Sequence, residues 1–116
     1  MPEDYSLMDR SGDMPPDADY YITLSSDDME PAFHAGDMVC VSCRDELREL
    51  DAGIFSYEGR ILCRQWCEDY SGALHLLCAN PDRQSENIRI SREKRSDCIC
   101  LGRVLTDRPL PRPIYR

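Results

Sequence analysis

Short apolar runs recur along the chain, separated by clusters of turn-forming residues. The runs are Tyr20–Leu24, Met38–Cys43, Ile54–Tyr57, Arg60–Trp66, Ala73–Cys78 and Cys98–Leu105, with a brief extended stretch at Asn87–Ile90. Runs this short, rich in β-branched and aromatic residues, predict strands. Glu58-Gly59 lies between two of them and predicts a hairpin, with Gly59 supplying positive φ. Asp69–Gly72 predicts another turn, and Asn80-Pro81 ends the strand before it. Ser25–Asp37 is dense in turn formers, with Asp27 or Asp28 placed to cap one helical turn. Arg44–Leu50 reads as a short helical turn stopped by Asp51-Ala52-Gly53, and Ser91–Asp97 as a charged loop. With no long amphipathic helix, the pattern predicts a mostly β domain of several short antiparallel strands. That domain is expected over 20–105, after a polar arm at 1–19 and before a Pro-rich tail at 106–116.

Composition narrows this picture. A chain of 116 residues suits one domain, and 41% hydrophobic with 31% charged residues is the profile of a chain that folds around a core. No apolar run approaches the roughly 20 residues of a membrane span. The acidic start Met1-Pro2-Glu3-Asp4 has no apolar stretch behind it and argues against a signal peptide. The net charge of −8 argues against direct binding of nucleic acid, whose phosphates attract Lys and Arg. The cations are 13 Arg and the single Lys94.

Seven cysteines without an export signal read as reduced, cytoplasmic thiols. Cys40-x2-Cys43 with Cys63-x3-Cys67 has zinc-like spacing. The apolar setting of Cys40, Cys63, Cys78, Cys98 and Cys100 favours small hydrophobes instead, so no metal or other cofactor is expected. Asp27, Asp28, His34 and Asp37 read as turn formers rather than metal ligands. Pro31 and Gly36 read as backbone devices, Met29 and Trp66 as core, and His75, alternating with apolar neighbours, as solvent-facing.

One segment carries more information. Ser26-Asp27-Asp28-Met29-Glu30-Pro31, followed by Gly36-Asp37-Met38-Val39, resembles the Gly-Asp-Ser-Met-x-Pro and Gly-Asp-x-Val signature of LexA and phage-repressor autopeptidase domains. Asp51–Phe55, Gly59–Trp66, Leu76–Pro81 and Cys98–Val104 resemble that family's later segments in the same order. The resemblance implies a LexA/signal-peptidase-like β fold of strongly bent strands. It also implies a Ser–Lys hydrolase that cuts its own chain.

At the matching positions stand Asp28 for the nucleophile and Arg64 for the base. Aspartate offers no hydroxyl, and a guanidinium does not give up its proton to act as a base. Lys94 lies in the charged loop, outside the strand that holds the family's base, and Ser25 and Ser26 are out of register. No family-type cleavage bond appears in 1–19, and Ala35-Gly36 and Ala52-Gly53 read as turns. The resemblance therefore implies no catalytic residue and an opposite-charge pair, Asp28 with Arg64, at the former active site. It implies the dimerising, regulatory C-terminal part of a cytoplasmic repressor, with DNA contacted only through a separate N-terminal helix-turn-helix domain. The expected dimer strand comprises Cys98, Ile99, Cys100, Leu101, Gly102, Arg103 and Val104. An unidentified ligand or anti-repressor at the former cleft is a further expected partner. The competing reading is a self-cleaving serine peptidase with rearranged residues. A membrane signal peptidase shares the Ser-Met-x-Pro signature but fits less well.

Overall fold

β-branched and aromatic residues dominate the segments that pair, and turn formers separate them. The computed structural model describes the backbone of residues 5–6 and residues 18–44, 46–106 and 110. The strands are β1 (Tyr5–Ser6), β2 (Tyr20–Thr23), β3 (Met38–Ser42), β4 (Ala52–Tyr57), β5 (Arg60–Glu68), β6 (Leu74–Leu77), β7 (Ile88–Ile90) and β8 (Ile99–Leu105). They form one antiparallel sheet in the order β1-β2-β3-β8-β4-β5-β6-β7. The fold is thus the expected mostly β architecture, and β1 adds a pairing that the polar composition of 1–19 does not announce. In the tail, Leu110 packs against the core, and the other residues beyond Thr106 lie outside the described ones.

Side chains alternate across a strand, so a strand buried on both faces is apolar without alternation. β4 is such a strand. Its neighbours Ile54 and Phe55, each 1% exposed, enter different clusters. Ile54 packs with Ile22, Leu24, Val39, Val41 and Val104. Phe55 packs with Leu62, Leu74, Leu76 and Ile90. Trp66 is only half-buried, at the margin of this second cluster.

The hairpin β4–β5 turns at Glu58 (φ 52°) and Gly59 (φ 77°), two positive φ values as a tight two-residue hairpin requires. Arg44–Leu50 does not form the expected helical turn among its described residues. Asp51 Oδ2 accepts from the Arg48 N–H at 2.8 Å, Leu50 adopts φ 69°, and the Leu50 N–H donates to the Trp66 carbonyl at 2.7 Å. What forms locally is one turn, Arg48–Asp51, closed by the Asp51 N–H donating to the Arg48 carbonyl at 2.9 Å. Ser91–Asp97 is more ordered than a loop, since Arg92–Asp97 winds into a 3-10 turn. A second 3-10 turn, Pro81–Glu86, follows Asn80, whose side chain accepts from the Asp82 N–H. His75 is largely covered: its Nε2 lies 2.8 Å from Asp69 Oδ2 with 19% of the side chain exposed. Asp69 fixes the β5–β6 turn by also accepting from Ser71 Oγ and the Ser71 and Ala73 N–H groups.

The last strand joins two half-sheets. Ser42, Arg103 and Gly53 stand in one cross-strand row, so β8 is paired on both sides there. Beyond it, Ile54 pairs with Gly102 but Phe55 with Cys100, leaving Leu101 as a bulge. Gly102 has φ 153°, and a Cβ there would sit 2.4 Å from Val41 Cγ1 and 2.9 Å from the Ser42 carbonyl oxygen. Gly102→Ala is therefore expected to lose about 2–3 kcal/mol through overpacking and backbone strain. Gly36→Ala meets nothing within 4 Å and is expected to lose only about 1 kcal/mol from its φ of 92°. Urea unfolding midpoints of the two variants check this order.

Candidate functional site

The turn-rich segment between β2 and β3 is closed at its neck by two backbone bonds. The Leu24 N–H donates to the Asp37 carbonyl at 2.8 Å, and the Gly36 N–H donates to the Leu24 carbonyl at 2.7 Å. Gly36 takes φ 92° there, and Asp37 Oδ2 accepts from the His34 N–H at 2.9 Å. Met29 (2% exposed) and Phe33 (4%) anchor the loop in the first core cluster. The Glu30–Pro31 peptide bond is cis. His34 stays exposed and lies 3.4 Å from Glu30.

A second set of bonds fixes residues 27 and 28 from across the fold. The Asn80 N–H donates to the Asp28 carbonyl at 3.0 Å, and Asn80 Nδ2 donates to the Asp27 carbonyl at 2.8 Å. Arg83 donates to both Asp27 oxygens, from Nε at 2.8 Å and from Nη2 at 3.2 Å. The Arg83 guanidinium holds the Asp27 carboxyl below its usual range. Asn80 falls in the motif segment Leu76–Pro81, but only the contact 53 positions away in sequence shows what it holds, and Arg83 carries no sequence signal of its role.

This clamp sets the Asp28 side chain against Arg64 of β5. Arg64 Nη2 lies 3.0 Å from Asp28 Oδ2, with 2% and 14% of the two side chains exposed. Arg64 Nη1 donates to the Cys63 carbonyl at 2.9 Å. Among the described residues Nε has no hydrogen-bond acceptor, and the Nη2 contact is a close charge pair without an aligned hydrogen bond. Opposite Arg64 on β4 stands Gly53. Ser26 Oγ, on the exposed rim, accepts from the Asp28 N–H at 3.4 Å.

The pair borders a cleft of about 350 Å³. Ile22, Leu24, Met29, Ile54 and Leu62 give it apolar walls, and Ser25, Ser26, Asp28, Arg60 and Arg64 its polar surface. Among the described residues no lysine or histidine lines it. Burial pushes the Cys63 thiol, also on the cleft, up to about 12, and that of Cys78 up to about 11. Such thiols stay protonated at neutral pH and are poor nucleophiles. The remaining motif aspartates are engaged in the turns described, and no three potential metal ligands gather among the described residues.

The expected dimer strand lies elsewhere in the sheet and is divided by the fold. Gly102 and Val104 are buried, Arg103 sits in a row paired on both sides, and Cys98 is half-buried. Exposed surface on β8 is confined to Ile99, Cys100 and Leu101. The Leu101 carbonyl accepts from Tyr20 Oη at 3.1 Å and from Cys43 Sγ at 3.4 Å.

A guanidinium this deep depends on its counter-charge, and removing one partner of a buried pair costs about 3–5 kcal/mol. Asp28→Ala is expected to lose that much, and Asp28→Ala/Arg64→Met to recover most of it by removing the stranded charge. Urea melts of the two single variants and the double variant measure the coupling, and additive losses would contradict a working pair.

No curated protein matches the chain, and none of the helices among the described residues is long and apolar enough to cross a membrane. The model of the Peptidase S24-like family matches residues 2–105. With the antiparallel sheet, the motif loop and its clamp all inside that span, the chain belongs to the Peptidase S24-like family, the LexA and phage-repressor C-terminal type.

Proposed function

We propose that this chain is the assembly and regulatory domain of a transcriptional repressor and does not cleave peptide bonds. The observation that carries the reading is the 3.0 Å contact between Asp28 and Arg64. Attack on a peptide bond needs a nucleophile and an adjacent group able to accept its proton. At the positions that the family resemblance assigns to those roles stand a carboxylate and a guanidinium, already engaged with each other. The protonated Cys63, and a described cleft lining without lysine or histidine, support the same conclusion.

Assembly falls to the surface of β8. Strand β3 covers it only over Arg103–Leu105, and Ile99 (57% exposed) and Leu101 (36%) present apolar side chains beyond that point. A two-fold pairing of this surface brings two copies together, each carrying a DNA-binding head on a separate domain. The charge of −8 suits a domain that leaves the phosphates to that head.

A serine-directed fluorophosphonate tests the chemistry. The unaltered protein is expected to remain unlabelled, and Asp28→Ser/Arg64→Lys to become labelled at residue 28. Labelling of Ser25 or Ser26 in the unaltered protein would establish a rearranged peptidase and overturn the proposal.

A further inference from the structure

The cleft carries a charge opposite to that of the chain. Two cations, Arg60 and Arg64, and one anion, Asp28, line it, while the whole chain stands at −8. Arg64 is also incompletely matched. Its Nη1 is satisfied by Cys63, but Nε and Nη2, the edge that binds a carboxylate side-on, are buried behind Asp28 and have no aligned acceptor among the described residues. Asp28 Oδ2 lies 3.0 Å from Nη2 on that edge. A buried donor without an acceptor is costly, and a guanidinium edge with two parallel N–H groups is shaped for a carboxylate. One further carboxylate would also bring the lining to neutrality.

The surroundings narrow the source of that carboxylate. Arg60–Arg64 of β5 pair with β4 on one side, and β6 joins β5 only from Gln65 onward. Among the described strands nothing pairs with the other edge of Arg60–Arg64, which leaves that edge open to an extended chain except at the Cys63 carbonyl, taken by Arg64 Nη1. The walls beside it are apolar, and about 350 Å³ lies in the range of small-ligand sites.

We propose that the cleft is a receptor for the C-terminal carboxylate of an extended peptide, held between Arg60 and the Nε/Nη2 edge of Arg64 while Asp28 turns aside. This deepens the reading of the cleft as non-cleaving and rests on it. Asp28 in this scheme competes with the ligand for Arg64.

The test uses the full chain and a library of N-acetylated tetrapeptides made twice, once with a free C-terminal carboxylate and once with a C-terminal amide. Fluorescence polarisation reads affinity, and mass spectrometry reads the peptides afterwards. The best acids are expected to bind at least about tenfold tighter than their amide twins, as loss of one charge-assisted hydrogen bond implies. Arg60→Gln, an exposed substitution that spares the core, is expected to cut that ratio below about threefold. Asp28→Asn keeps a polar group beside Arg64 and removes the competing anion. It is expected to raise acid affinity several-fold and leave amide affinity unchanged, which a purely structural ion pair would not do. Equal affinity of acids and amides, absence of binding by both sets, or a ratio unmoved by either variant would overturn the carboxylate site. Cleaved peptides would instead overturn the non-cleaving reading, so the two failures are distinct.

Discussion

A guanidinium buried in an apolar core is the constraint around which this domain is organised. Arg64 is 1% exposed, among the largest fully buried side chains, and its charge cannot be shed by deprotonation. A lone buried charge would cost several kcal/mol, so the fold must bring an anion to it. It does so with Asp28, delivered by a loop that has no regular structure of its own. The loop's position therefore depends on other contacts: Met29 and Phe33 in the core below, the backbone bonds at Leu24 and Gly36, and Asn80 with Arg83 from across the fold. Each holds the loop from a different direction. Together they place one carboxylate beside one guanidinium.

That arrangement connects fold to function. A hydrolytic cleft stores chemical reactivity in a pair whose protons can move. This cleft holds two opposite charges in contact, flanked by thiols that burial keeps protonated, and the proposed loss of hydrolysis rests on that pair. The cleft persists because its walls are also the walls of the core: Ile22, Leu24, Met29 and Ile54 belong to both. A site of this kind can lose its reacting groups and keep its shape. In the reading proposed above the cleft serves recognition, and its wall residue Ile54 lies on β4, the strand next to β8.

Much of the architecture was legible because it is written in short-range patterns. The Glu58-Gly59 hairpin follows from a glycine flanked by apolar runs, and Gly59 does adopt positive φ. The order of strands was not legible. Only the folded sheet shows that the last strand inserts between β3 and β4, because that placement depends on contacts 50 residues and more away, such as Val41 with Val104. The same insertion buries Gly102 and Val104, leaving a narrower exposed stretch than the apolar run Cys98–Leu105 implies. Arg44–Leu50 illustrates the converse. Its residues favour a helical turn, and pairing of Leu50 with Trp66 overrides that preference. At the site, Asp28 and Arg64 stood out through their motif positions. Asn80 and Arg60 lay inside quoted motif segments without an assigned role and Arg83 lay outside them, since clamp and cleft are assembled from segments that no sequence spacing relates.

In the free protein the guanidinium of Arg64 is buried against Asp28 and bonded to the Cys63 carbonyl, and NMR of the arginine side chains in ¹⁵N-labelled protein tests this most directly. Rotation about the guanidinium C–N bonds and exchange with water average the Nη signals of exposed arginines. The account predicts separate, slowly exchanging Nη signals for Arg64, distinct from the averaged signal of exposed Arg60. A single averaged, rapidly exchanging signal for Arg64 would show a mobile, solvated guanidinium and contradict the account.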